Sequence, residues 1–464
     1  MEIGFDTIGN ATLIAHDQRP VLVTDPWIEG SAYFGSWKLS HEVPPEQREA
    51  ALAAPYVWFS HGHPDHLNPD SLPLFQGKKI LLPNHFGGRI SEALQAQGFD
   101  VQVMVDRQWL QLSPRIRVMC IPDYNQDAIL FLDINGRLVF NKNDSNDRGW
   151  ARFAKKVIQQ FPMSFHLALF GFGGADMMNY FAEDGTRRLP SGISAPTPLG
   201  ARVAREVELF GTRYFVPFSS MHRFQRTDSA WASAYASTFE DFKNGFDATG
   251  AELLPPFIRF DCDRDQLTEL NPAPTSSTLL PPEHFDDHWA DPLSAEEARE
   301  VVRYFKAVEK LGDTLDFLRL RVGGRDTTIE FRSQGFRRGL TIETPRASLL
   351  SSVRFEIFDD LLIGNFAKVV LHGDWGPGLL YPDVTPYIAK YGDNGRARTH
   401  NEVRDYFRHY RNRDPVGYLH HQLTQGLLEP ARAKAANTLR NRVGKDSKLF
   451  QTAKSAFWAV RRSL

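Results

Sequence analysis

The stretch "FSHGHPDHLN" at residues 59–68 constrains this chain more than any other. It places His61, His63, Asp65 and His66 within six positions of a chain that has only 15 histidines in 464 residues. The apolar, β-rich run "PYVWFS" at 55–60 leads straight into it, so the cluster is predicted on a loop at the end of a strand. Such loops are where chemistry tends to sit, because a rigid scaffold fixes their ends. Neutral imidazoles and carboxylates are the usual N/O donors for Zn²⁺, Fe²⁺ and Mn²⁺. A His-x-His-x-Asp-His loop can therefore offer His61 and His63 to one cation, and Asp65 and His66 to its neighbour. The competing account, surface histidines beside a turn, has to explain four such residues at this spacing by chance.

Four donors on one loop cannot close two coordination shells, so later strand ends must contribute. "IPDYNQD" holds Asp123 and Asp127 just before a hairpin. In "FNKNDSND", Asp144 follows the returning hairpin strand and is placed to bridge two cations. "YFVPFSSMHRF" puts His222 just past an apolar strand. Each has an ordinary alternative: Asp144 could cap the following helix, His222 could be a satisfied core or surface histidine, and Asp123 could be a plain loop residue, with Asp127 one turn-length away.

Around these positions the first ~260 residues mix strands and helices, the signature of an α/β sandwich of two sheets with helices outside. "TLIAH", the turn "DQRP" and "VLVTDPW" form a hairpin whose second strand ends at Asp25. "KKILLPN", "VQVMV" and "RIRVMCIPD" read as strands, and "GGRISEALQAQG" and "RGWARFAKKVIQQF" as helices. "AILFLDINGRLVFNKND" is the clearest hairpin, because Asn135-Gly136 supplies the positive φ values of a two-residue type I′ turn. The expected layout is a main domain over 1–270, a Pro-rich linker over 271–293, a smaller α+β extension over 294–429 and a basic helical tail over 430–464. In the extension, Ser294 and Glu297 make a capping box for a helix through about Lys310. "TTIEFR" and "RFEIFDDLLIG" are expected as strands, and "LHGDWGPG", with His372 and Asp374, as a structural turn or a loop covering substrate. "GFGGAD" at 171–176 follows no phosphate-loop spacing and is expected to let backbone approach the metal site or a ligand.

A formal charge of −2 leaves no global field to attract nucleic acid, and none is expected as a partner. The exception is local: residues 430–464 carry nine Lys or Arg against one acid, with Leu449, Phe450, Phe457 and Trp458 interleaved. That tail could lie on an anionic membrane surface, hold a protein partner or pack one apolar face on its own chain. Two cysteines, Cys120 and Cys262, are too few for a disulfide framework, no run of eighteen apolar residues occurs, and the N-terminus lacks a leader pattern. A cytoplasmic protein is the expectation.

With the motif and its companions in view, the chain resembles the metallo-β-lactamase-fold superfamily: "HGHPDH" after a strand, Asp25 upstream, Asp144 after a strand and His222 later. "DPWIEGSAYFGSWKLSHE", "FSHGHPDHLNPDSL", "GRLVFNKNDSND", "FGFGGAD" and "YFVPFSS" together are similar to the catalytic domain of CMP-N-acetylneuraminate hydroxylase, over roughly residues 5 to 265. The resemblance implies an αββα sandwich with His61, His63, Asp65, His66 and His222 as metal ligands and Asp144 as the bridging carboxylate. It implies that Asp25 orients a ligand histidine. Asp123 stands where most superfamily members place another histidine, with Asp127 behind it or in its stead. A carboxylate there hardens the site and favours iron or manganese over zinc.

The implied function is a dinuclear iron monooxygenase acting on a polar small molecule such as an acylated sugar or sugar nucleotide. The alternative is a zinc- or manganese-dependent hydrolase of an ester, lactone or phosphodiester, with Asp65 or Asp144 orienting the attacking water. The hydroxylases also carry a Rieske domain, whose cluster needs cysteines and histidines in close pairs. Neither Cys120 nor Cys262 has a histidine within a few residues. An oxygenase built on this chain would therefore take electrons from a separate donor or from its substrate.

Overall fold

The computed structural model describes residues 1–424 apart from 170–176, 191–192, 194–196, 249 and 333–337. The glycine-rich 171–176 segment and the basic tail thus lie outside the described residues. Two large sheets face each other. In the first, of eight strands, Ile3–Ile8, Thr12–Asp17 and Arg19–Thr24 are antiparallel neighbours, and Tyr56–Trp58, Lys79–Leu82 and Asp100–Val103 extend the sheet in parallel. The second, of seven strands, grows around the hairpin of Ala128–Ile134 and Arg137–Asn143, which is joined in parallel by Ser164–Ala168 and Tyr214–Pro217. Asn135 and Gly136 have φ of 51° and 80°, the left-handed pair the turn demands, and Ile134 faces Arg137 across it.

Because side chains alternate along a strand, each sheet has two apolar faces to cover. Phe5, Leu13, Leu22, Leu130, Phe165 and Val216 meet between the sheets. Ile14, Val23 and Ile80 point the other way, where Ala51 and Leu94 of the helices Pro45–Ala53 and Arg89–Ala96 cover them. On the far side, Phe131 and Phe140 pack under Ala151–Ile158 and Leu199–Phe210. The result is an αββα sandwich.

A third, six-stranded sheet carries the C-terminal region, with Phe317–Val322, Arg325–Glu330, Gly339–Glu343 and Lys368–His372. Its remaining strands, Tyr180–Ala182 and Arg187–Arg188, come from far earlier in the chain, Tyr180 pairing with Val369 and Ala182 with Leu371. The Pro-rich 271–293 stretch is pinned to its surroundings: Asp287 accepts hydrogen bonds from Arg226 at 2.7 Å and from the backbone of Ser348 at 3.0 Å. Beyond it, the helix Ala295–Ala307 opens with the Ser294–Glu297 capping box made in both directions.

One expectation fails. "RFEIFDDLLIG", expected as a strand, is the end of the helix Arg346–Arg354 followed by a second short helix, Phe358–Ile363. All six residues of that second helix are buried, so it has neither a strand's two-residue alternation nor an amphipathic stripe. Among the described residues no helix is long and apolar enough to cross a membrane.

Candidate metal centre

The histidine loop leaves the strand Tyr56–Trp58, whose parallel neighbour Arg19–Thr24 ends just before Asp25. Asp25 holds the loop at two points: Oδ1 accepts the Ser60 backbone N–H at 2.7 Å, and Oδ2 pairs with His66 Nδ1 at 3.1 Å. That contact fixes the ring and leaves Nε2 facing the site, as a carboxylate behind a metal-bound imidazole does. From the opposite sheet, Asp144 follows the strand Arg137–Asn143 and brings Oδ2 to 3.2 Å from His66 Nε2, while Ser219 donates to its Oδ1 at 2.6 Å. The backbone is left-handed at Asp25, Asn143 and Ser220, with φ of 41°, 39° and 64°. Non-glycine residues are held there only when their surroundings over-determine them, a pattern that clusters at functional sites.

His61, His66 and Asp144 each contribute one donor atom to a group whose members lie within 4.8 Å of one another. His61 Nε2 is also 2.9 Å from His63 Nδ1, and its Nδ1 is 2.9 Å from Ser60 Oγ. Burial, reinforced by the neighbouring His66 and His63, pushes the His61 pKa well below the usual imidazole value and keeps the ring neutral, the form that ligates. Burial also opposes charge on His66, but Asp65, Asp144 and Asp25 overcome it and raise its pKa well above the usual value. In the same way burial would raise Asp144, yet contact with His66 and Ser219 lowers it to about 2.

Asp65 lies beside this group, its Oδ2 3.5 Å from His66 Nε2. Two residues that the sequence reading missed hold it: Tyr33 donates to Oδ1 at 2.5 Å and Asn10 to Oδ2 at 3.1 Å. Asn10 also accepts the Met221 N–H at 2.8 Å, so it ties the histidine loop to the 218–222 segment. His222 opens the short strand His222–Phe224 and stacks on Trp37 with ring centroids 3.4 Å apart and planes 4° from parallel. Both its ring nitrogens are buried with no well-formed hydrogen bond, the Ser220 backbone being the nearest partner. Burial lowers its pKa to about 3. A neutral imidazole with orphaned nitrogens suits a ligand, and so do the converging His61, His66 and Asp144; the residues present fit a bound cation.

Asp123 and Asp127 stand apart from these groups. Asp123 accepts from Ser145 Oγ at 2.8 Å and from the Asn125 backbone at 2.7 Å, and burial next to Asp127 raises its pKa to about 7. Asp127 accepts from the Asn125 side chain at 2.9 Å and lies 3.9 Å from Lys390. The partners of His63 are instead in the C-terminal region: its Nε2 is 2.9 Å from Asp359 Oδ2 and 3.1 Å from Lys390 Nζ. His63, Asp359 and Asp360 form a second group with donor atoms within 4.8 Å of one another.

A cleft of about 340 Å³ opens onto the centre, lined by Tyr33, His63, Asp144, Arg148, Tyr381 and Lys390 among others. Arg148 donates to the Tyr381 hydroxyl at 2.5 Å, and that hydroxyl donates to Asn125 at 3.2 Å. The loop after His372, read as a turn, contributes Gly378 and Leu379 to the same wall, while His372 itself is 2.9 Å from Thr341 Oγ1. A larger cleft of about 780 Å³ lies along the helix His400–Arg413, and none of the converging histidines or carboxylates lines it.

No protein-family model matches the chain. It is 26% identical over 163 residues to cytidine monophosphate-N-acetylneuraminic acid hydroxylase of Gorilla gorilla gorilla, a match covering 31% of this chain and 27% of that protein. The hydroxylases of Asterias rubens and Danio rerio are each 25% identical, over 141 and 164 residues, covering 28% and 31% of this chain and 22% and 28% of theirs. The match thus spans about a quarter of the length of these relatives. Among solved structures, CmlA, a diiron β-hydroxylase from Streptomyces venezuelae, is 16% identical with a TM-score of 0.37, covering 58% of this chain and 54% of that one. The isothiocyanate hydrolase from Delia radicum gut bacteria is 14% identical with a TM-score of 0.35, covering 56% and 99%. Two facing sheets with helices outside, and a His-x-His-x-Asp-His loop where their strands end, give this chain a metallo-β-lactamase-like αββα fold.

Proposed function

We propose that the protein is a dinuclear, iron-dependent monooxygenase that hydroxylates a polar small molecule, such as an acylated sugar or a sugar nucleotide. The observation that carries this reading is the convergence of His61, His66 and Asp144, a mixture of imidazole and carboxylate donors that suits iron. Partial similarity to the hydroxylases supports it. His61, His63, Asp65, His66, Asp144 and His222 would hold the two ions, and bound iron would supply the redox chemistry that activates O₂. The chain's own residues do the rest. Asp25, Tyr33 and Asn10 hold His66 and Asp65 in fixed orientations. Arg148, Tyr381 and Lys390 present charge and hydrogen-bonding groups to a polar substrate, and Met177, Ile363 and Leu379 exclude water from the cleft wall. Electrons would come from a separate donor or from the substrate.

The second reading, a zinc or manganese hydrolase, is favoured by the position of Asp144, whose carboxylate reaches the cleft and could orient an attacking water. Metal analysis of protein purified without added metal separates the two. The oxygenase reading expects about two iron ions per chain and O₂ uptake when a reductant is supplied. Zinc together with hydrolytic activity under argon would overturn it in favour of the hydrolase.

A further inference from the structure

We infer that Asp359 and Asp360 are metal-binding residues, so that the C-terminal region closes the metal centre from the side opposite the histidine loop, with His63 as the third donor. The inference rests on the metal-centre reading above and assigns part of that centre to a helix outside the two-sheet sandwich. His63 Nε2 faces Asp359 Oδ2 at 2.9 Å, and the donor atoms of His63, Asp359 and Asp360 lie within 4.8 Å of one another.

Asp360 is the telling residue. It is 4% exposed, and among the described residues its carboxylate makes no hydrogen bond or close ion pair, Lys390 and Arg89 acting on it only from farther away. The nearest ammonium is engaged elsewhere: Lys390 Nζ sits 3.1 Å from His63, 3.4 Å from Asp359 and 3.9 Å from Asp127. A structural ion pair with Lys390 explains Asp359. It leaves Asp360 less well served, because a buried carboxylate needs a charge closer than Lys390 or Arg89 to stay ionised. A divalent cation supplies one, and the set of one imidazole and two carboxylates selects a hard first-row ion, Fe²⁺ or Mn²⁺, over Zn²⁺.

The helix Phe358–Ile363 explains how consecutive residues can both serve. With every one of its residues buried, both carboxylates are held inside the protein, and the helix is joined to the sandwich through Ile363, which packs with Tyr33 and Trp37.

The test compares the full-length wild type with Asp360→Asn, each stripped of metal and titrated with Mn²⁺, with bound ion counted by elemental analysis and folding checked by circular dichroism. The expected result is a twofold lower stoichiometry for D360N and unchanged secondary structure. Equal stoichiometry in both proteins overturns the inference and leaves the metal-centre reading standing, whereas a wild type that takes up no Mn²⁺ overturns both. If D360N does not fold, anomalous scattering from Mn²⁺-soaked wild-type crystals decides: an ion at coordinating distance from Asp360 is expected, and ions bound only by the histidine loop and Asp144 overturn the assignment.

Discussion

Arg226 is the joint on which the C-terminal side of the centre depends, and its removal makes a demanding test. The guanidinium is 0% exposed. It reaches Asp287 at 2.7 Å, Asp228 at 2.9 and 3.0 Å and the Phe34 carbonyl at 2.9 Å, and it lies 4.0 Å above the Phe366 ring. Asp287 in turn accepts from the backbone and hydroxyl of Ser348, in the helix preceding Phe358–Ile363. Arg226→Met keeps much of the volume but strands Asp287, which is 1% exposed. Breaking a buried pair from one side costs about 3–5 kcal/mol, and loss of the contact with Phe366 adds about 1 kcal/mol. Removing both partners is far cheaper, since neither is then left charged and alone. Urea unfolding at neutral pH should therefore show Arg226→Met destabilised by about 4–6 kcal/mol, with Arg226→Met/Asp287→Asn less destabilised than the sum of the single variants by about 2 kcal/mol. A cost below about 1 kcal/mol for the single variant, or additive costs, would refute the reasoning.

Asp25→Asn removes the anion behind His66 and should weaken metal affinity by about 10–100-fold in a chelator competition; an unchanged affinity would contradict that role. Burial works against ionisation of Asp6, but Arg259 and His16 lower its pKa to about 2 from the ordinary 3.8. Its contribution is therefore complete above the ordinary value and is lost as pH falls through the folded one. Asp6→Asn should be less stable than wild type by about 2 kcal/mol at pH 7, and the gap should close in acid; a gap independent of pH would rule this out. Stripping the metal should lower the melting temperature, since Asp144 in one group and Asp359 and Asp360 in the other then lose the cation that offsets their charge. Restoring Fe²⁺ or Mn²⁺ at a hundredfold excess over its Kd should return about 2.7 kcal/mol, and calorimetry with and without chelator checks it.

What could be read from the chain alone was local. Asn135-Gly136 announces its hairpin because the turn needs those backbone angles whatever surrounds it. The histidine loop announces itself because four donors sit within one turn of chain. Asp359 and Asp360 carry no such signal: a six-residue helix buried on every side shows no period, and its apolar run reads as a strand. Tyr33 and Asn10 are single polar residues whose importance exists only once Asp65 has been folded against them. Likewise the pairing of Tyr180 with Val369 joins strands whose sequences show nothing of each other.

That last pairing sets an order of events during synthesis. The strand Tyr180–Ala182 leaves the ribosome about 190 residues before Lys368–His372 exists to receive it, an interval of roughly 10–40 s at usual elongation rates. Until then Tyr180–Ala182 lacks its parallel partner, so the cleft wall to which Tyr180, Leu379 and Lys390 all contribute is among the last parts of the molecule to be completed.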